Sequence, residues 1–278
     1  MRKGIEFVKM VAGGNDFVIF ESKNQKSQIK NLAELAKEVC NRKYGIGADG
    51  LLMIEESKIA NFKMRIFNPD GSEAEMCGNG IRCVAFWANS KSKKQEVKIL
   101  KIETKAGLVE TEINKDRVKV KMPEPKDLKM NIIINIRGEK YSVHYINTGV
   151  PHTVLFVNDL KNTNVKELGK IIRFHPKFLP QGTNVDFVQI KDEKNIFLRT
   201  YERGVEDETL ACGTGAVASA IISKIKYQKS KIEKNNNINV QTSGGEVLKV
   251  YFERIENNFK NVWLEGKAKI ICKGVYYG

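Results

Sequence analysis

The stretch MRIFNPDGSEAEMCGNG, residues 64–80, is answered later in the same chain by LRTYERGVEDETLACGTG, residues 198–215. Each runs from a β-rich segment through a polar turn and closes on Cys-Gly-x-Gly: CGNG from Cys77 to Gly80, CGTG from Cys212 to Gly215. Outward from these tetrapeptides the match continues in the same order. GGNDFVIF (13–20) aligns with TGVPHTVLF (148–156), each a glycine turn entering an apolar strand. LAELAKEVCNRKYGIGADGLLMI (32–54) aligns with VKELGKIIRFHPKFLPQGTNVDFVQI (165–190), a helix, a glycine turn and a strand. ETKAGLVETEI (103–113) aligns with QTSGGEVLKVY (241–251). Gly14 and Cys77 lie 63 residues apart, as do Gly149 and Cys212. Four matches in one order at near-constant offset mark an internal duplication, which makes Cys77 and Cys212 equivalent positions.

Each cysteine precedes a helix. IRCVAFWAN after the first tetrapeptide and AVASAIISKI after the second are apolar on nearly every side, and a helix hydrophobic all round is a buried one. Val118–Met122, Ile132–Ile136 and Val247–Phe252 read as strands. The expected fold is therefore α/β (α+β), with two pseudo-symmetric halves, each a strongly curved sheet around one central helix. MPEPKD (122–127) is the expected boundary, because its two prolines interrupt strand pairing.

Composition narrows the function. The 278 residues are 41% hydrophobic, ordinary for a globular protein. No segment approaches the roughly 18 apolar residues of a membrane helix, and MRKGIEFVKM has no apolar core of a secretory signal. A cytoplasmic protein without a membrane partner is expected. The five cysteines include no CxxC pair, so neither a disulfide framework nor a metal site is expected. Cys40, Cys83 and Cys272 read as packing residues. The net charge of +14 is spread along the chain without any RNP, KH or zinc-finger pattern. Lys91–Lys94 and Lys226–Lys234 read as solvated surface, no nucleic-acid partner is expected, and the excess charge can attract an anionic substrate. GIGADG (45–50) fits a dinucleotide fingerprint, but a helix precedes it and a strand follows, the reverse of the order such a site needs.

The two CGxG turns carry the chemistry. Glycines at a helix start let backbone N–H groups approach a ligand, and those groups with the helix dipole favour an anion such as a carboxylate. A thiol there is expected to ionise below its usual value of about 8.5. A cysteine nucleophile would need one thiol and a histidine, whereas an amino-acid racemase needs two like acid/base groups, one to take a proton and one to deliver it. Of the three histidines, His144 and His175 show no feature tied to the tetrapeptides; His152, in GVPH beside the second glycine turn, is the candidate. No lysine stands out as a pyridoxal phosphate anchor, so chemistry without a cofactor is the simplest expectation.

GGNDF, GIGADGLL, NPDGSEAEMCGNGIRC, NTGVPH, GTNVDF, TYERGVEDETLACGTGA and GGEVL together resemble the diaminopimelate epimerase family over nearly the whole chain. The resemblance implies cofactor-independent interconversion of LL- and meso-diaminopimelate, for lysine and peptidoglycan precursors, by a homodimer. It implies halves of residues 1–124, completed by a C-terminal strand over 267–278, and 125–266. Cys77 and Cys212 become the two acid/base residues. Asn15, Asn68, Asn184 and Arg203 would hold the substrate's amino and carboxylate groups. Gly78, Asn79, Gly213 and Thr214 would supply an N–H cradle, and Glu202 and His152 would line the reacting centre, Glu202 also touching substrate. Val150, Gly50 and Ala12 depart from residues common in the family. The alternative is a related two-cysteine proline racemase or hydroxyproline epimerase, which tends to carry CGHG where this chain has Asn79. An isomerase of the phenazine-biosynthesis type lacks the thiol pair.

Overall fold

The computed structural model describes residues 4–24, 31–91, 98–227, 235–256 and 258–278. The basic stretches at 92–94 and 228–234 lie outside them. The chain divides into two compact units, residues 1–120 with 266–278 and residues 121–265.

Unit 1 opens with the hairpin β1 (Ile5–Ala12) and β2 (Asn15–Glu21). Ala12 pairs with Asn15, which leaves Gly13 and Gly14 as a two-residue loop. Their φ values of 60° and 80° suit a type I′ turn, a left-handed conformation that glycine adopts without strain. Helix α1 (Leu32–Cys40) starts at Asn31, whose side chain accepts the Ala33 and Glu34 N–H groups, and buries Leu35, Ala36, Val39 and Cys40. Strand β3 (Gly50–Glu55) then joins β2 in parallel, and β4 (Phe62–Phe67) runs antiparallel to β3. The short β5 (Glu73–Ala74) leads into α2 (Gly78–Ser90). Strand β6 (Lys98–Thr104) returns parallel to β4, and β7 (Gly107–Asn114) and β8 (Arg117–Lys121) continue as a meander. The chain's last strand, Lys269–Tyr276, comes back to pair antiparallel with β1.

Unit 2 repeats the plan with β9 (Lys126–Ile136), β10 (Glu139–Asn147), β11 (Pro151–Phe156), α3 (Val165–Arg173), β12 (Asn184–Ile190), β13 (Asn195–Glu202) and β14 (Asp207–Thr209). After these come α4 (Gly213–Tyr227), β15 (Asn235–Thr242), β16 (Val247–Ile255) and β17 (Asn258–Lys267). The parallel pairs recur at the same places: β11 with β12 as β2 with β3, and β13 with β15 as β4 with β6. Strand β9 pairs with β10 as the last strand, β18, pairs with β1.

The central helices explain the curvature. Helix α2 packs on β1, β2, β4, β6, β7 and β18, and α4 on β10, β11, β12, β13, β15 and β16. Every residue from Gly215 to Ser223 is buried, as are Ile81, Cys83, Val84, Ala85 and Trp87 of α2. A helix without a polar face must be covered all round, so each sheet wraps its helix. The amphipathic α1 and α3 cover strands from outside, α1 on β3 and β4, α3 on β12, β13 and β14. Among the described residues no helix is long and apolar enough to cross a membrane.

Candidate active site

Both cysteines sit at the same point of their units, immediately before the first turn of the central helix. Cys77 caps α2 with extended backbone (φ −144°, ψ 117°), and its sulfur accepts the Gly80 N–H at 3.4 Å. The Ile81 N–H donates to Cys77 O and the Ala216 N–H to Cys212 O, each at 2.9 Å. The Gly215 N–H likewise donates to the Cys212 sulfur. A thiol thus takes the place of the usual capping oxygen. The N–H groups at a helix start have no partner within the helix and are available to an anion; here they belong to Gly78 and Asn79, and to Gly213 and Thr214. Nothing lies within 4 Å of where a Cβ on Gly78 would stand.

Around Cys212, unit 2 assembles a buried polar network. His152 and Asp186 are both fully buried, with Nδ1 2.7 Å from Asp186 Oδ2 and Nε2 2.9 Å from Thr214 Oγ1. The Thr200 hydroxyl donates to Asp186 Oδ1 at 2.8 Å. Because a carboxylate accepts, Nδ1 carries a proton towards Asp186. The Thr214 hydroxyl also lies 3.5 Å from the Cys212 sulfur, so one hydroxyl bridges the thiol and the imidazole.

Glu202, at the end of β13, hydrogen-bonds the Cys212 thiol and accepts the Thr209 hydroxyl at 2.5 Å. Burial raises its pKa above the usual glutamate value, although the Thr209 hydroxyl and His152 pull it down. Cys212 departs from the expectation of an easily ionised thiol. Burial first, then the Glu202 and Asp186 charges, push it well above its ordinary value, outweighing the Thr214 and Gly215 hydrogen bonds. Helix N–H groups favour a thiolate, but desolvation and two nearby acids win here.

The other anticipated residues fall in two groups. Asn184 is buried with its amide committed to backbone, donating to Pro151 O at 3.0 Å and accepting the Arg203 N–H at 2.8 Å. It therefore shapes the turn that carries Arg203, whose Nη1 donates to Gln181 O at 3.1 Å. In unit 1, Asn79 Nδ2 donates to Asn15 Oδ1 at 2.7 Å, so those two form one cluster. Asn68 lies apart on an exposed turn, donating to Ser72 Oγ at 3.0 Å. Of the departures, Ala12 is buried in the pair that closes the first hairpin. A Cβ on Gly50 would lie 3.1 Å from Phe67 O, so a larger residue needs that strand to shift slightly.

Asp186 and Thr200 were not anticipated. The signal was present in GTNVDF: an acid inside an apolar strand is buried, and a buried acid needs partners. Comparing the halves hid it, because the duplication sets Leu52 against Asp186 and Asn68 against Glu202. The lysines read as solvated surface are partly engaged: Lys91 pairs with Glu21 at 2.5 Å and lies 4.1 Å over the Trp87 ring.

The sequence profile of the diaminopimelate epimerase family matches residues 7–127 and 144–271. A diaminopimelate epimerase of Aquifex aeolicus is 41% identical over 280 residues, covering 97% of each chain. One from Methanocella arvoryzae is 40% identical over 97% of this chain and 96% of its own. Among solved structures, a phenazine biosynthesis protein of the PhzF family from Bacillus anthracis superposes with a TM-score of 0.75 at 18% identity, covering 99% of this chain and 100% of its own. A hydroxyproline epimerase from Agrobacterium vitis, with bound trans-4-hydroxy-L-proline, gives 0.70 at 14%, covering 99% and 94%. At those identities the structures share the fold alone.

Proposed function

The chain belongs to the diaminopimelate epimerase family, and on that premise we propose that it interconverts LL- and meso-diaminopimelate without a cofactor, using Cys77 and Cys212 as its two acid/base groups. The observation that carries this reading is the matched pair of helix-capping thiols, each with an N–H of the first helical turn directed at its sulfur.

Inversion at an α-carbon requires a proton to leave one face and another to arrive on the opposite face. One cysteine, as thiolate, takes the α-proton and becomes a thiol. The electron pair left on carbon delocalises into the adjacent carboxylate, where the N–H groups of Gly78, Asn79, Gly213 and Thr214 stabilise the added charge. The other cysteine gives its S–H proton to the carbon and becomes the thiolate, so protons and charge balance and the reverse reaction exchanges the roles. Burial and the neighbouring acids favour Cys212 as the partner that holds its proton at rest. His152 and Glu202 tune that thiol, the first through Thr214 and the second directly. Asn15, Asn68, Asn184, Glu202 and Arg203 orient the amino and carboxylate groups, Arg203 offering a planar pair of donors. The two units act as the two epimerase halves. A homodimer in the cytoplasm, with neither a nucleic acid nor a membrane as partner, completes the reading; exposed Ile271, Val275 and Tyr277 on and beside β18 supply apolar surface for self-association.

In heavy water, the purified protein is expected to exchange the α-hydrogen of LL-diaminopimelate for deuterium and to form the meso isomer with nothing else added. Neither exchange nor product under reducing conditions would overturn the reading. Cys77→Ala and Cys212→Ala are each expected to lower epimerisation by several orders of magnitude. Near-normal turnover in either would refute the two-thiol mechanism.

A further inference from the structure

Unit 1 contains a chain of hydrogen bonds whose ends have no role in the scheme above. It begins at Arg82, fully buried in α2, whose Nη2 donates to Asn79 Oδ1. Asn79 Nδ2 donates to Asn15 Oδ1 at 2.7 Å, and Asn15 Nδ2 donates to Asp49 Oδ2 at 3.1 Å. The same carboxylate oxygen accepts the Asp16 N–H at 3.2 Å, and Arg42 Nη2 donates to Asp49 Oδ1 at 2.6 Å.

A guanidinium has only donors and a carboxylate only acceptors. The chain therefore starts on a group that must give and ends on one that must receive. Between them the two amides satisfy both ends in one orientation only, so the assignment follows from the network itself. In that orientation both carbonyl oxygens turn into the chain, and each NH2 spends one hydrogen there and keeps the other. We infer that Arg82 and Asp49 are positioning residues, locking Asn15 and Asn79 as a pair of N–H donors for a substrate carboxylate. This rests on the proposed part of Asn15 and Asn79 in substrate binding.

Two further observations agree. A Cβ on Gly13 would lie 2.7 Å from Arg82 Nη2 and from both amide atoms of Asn79, so the first hairpin turn closes over this chain because residue 13 has no side chain. The duplication also shows specialisation. The strand register sets Asn184 against Gly50 and Thr183 against Asp49, so the acid that ends this chain has no carboxylate counterpart in the second half. Arg82 stands where the second half has Val217.

Asp49, with its side chain 38% exposed, is the residue to test, since a substitution at fully buried Arg82 can act through folding. Asp49→Leu removes the acceptor end; Asp49→Asn keeps one oxygen acceptor and serves as the rescue. Asp49→Leu is expected to raise KM for diaminopimelate roughly 10–100-fold, the scale of a hydrogen bond to a charged group, with a much smaller change in kcat. It should reduce by a similar factor the preference for the diacid over its monocarboxamide, because freed amides can turn an oxygen towards the carboxamide NH2. Asp49→Asn should stay within several-fold of wild type. An Asp49→Leu protein that folds and keeps both the KM and the diacid preference would overturn the inference. In 15N-labelled protein without substrate, the side-chain amide hydrogens of Asn15 and Asn79 should exchange slowly with water, and rapidly in Asp49→Leu. Fast exchange in wild type would also overturn it. Slow exchange in a wild type that never turns over diaminopimelate would instead support the lock and remove the reading of the substrate.

Discussion

At the scale of single residues, His144 shows how burial sets a charge state. It has no solvent-exposed surface; Nδ1 accepts the Asn131 N–H at 3.1 Å, and Lys226 Nζ lies 3.2 Å from Nε2. Burial, then the Lys226 charge, lowers its pKa to about 4. An unfolded histidine titrates near 6.5, so between these values the unfolded chain binds more protons than the folded one. Stability from this residue is complete above about pH 6.5 and declines as pH falls towards 4. The amount at stake is about 1–3 kcal/mol, discounted for solvent near the ring. His144→Asn is expected to flatten the fall in Tm between pH 6.5 and 4.5 relative to wild type; parallel curves would show that the ring is not the sensor.

At the scale of elements, the starts of α2 and α4 carry the chemistry, and the tolerance for change there is small. A Cβ on Gly215 would lie 2.4 Å from Asp186 Oδ1 and 3.3 Å from Cys212 Cβ. Asp186 has no freedom to retreat, since Thr200 holds one oxygen and His152 the other. Gly215→Ala is therefore expected to cost about 1–3 kcal/mol of stability and to lower kcat at least roughly tenfold through the displaced His152–Thr214 path. Unchanged Tm and kcat would mean that the carboxyl group moves aside freely. These helices were legible before any coordinates, because CGNG and CGTG mark helix starts and the segments after them are apolar on every face. The curved sheets followed from that need for cover. The surroundings of Cys212 were not legible to the same depth. Helix-start geometry pointed to an easily ionised thiol, but Glu202 and Asp186 approach from other strands, and their counterparts Asn68 and Leu52 carry no charge. Pairing across strands, which no local spacing encodes, decided that thiol's state.

At the scale of the whole molecule, unit 1 depends on β18, whose register with β1 runs from Ile5↔Tyr276 to Val11↔Lys269. Removing residues 268–278 strips β1 of that neighbour and exposes a strand edge. Amide hydrogens of β1 are expected to exchange at least ~100-fold faster in the truncated protein, while those of β11 and β12 keep their protection. Protection lost equally in both units would show that they unfold as one.

The returning strand also bears on how the protein is made. Residues 121–265 can close on themselves as soon as they leave the ribosome, whereas unit 1, although begun first, waits for a segment translated after them. At about 5–20 residues per second that wait is roughly 10–30 s. Throughout it β1 is a nascent strand without its partner, and the half of the protein that is oldest in the cell is the last to be finished.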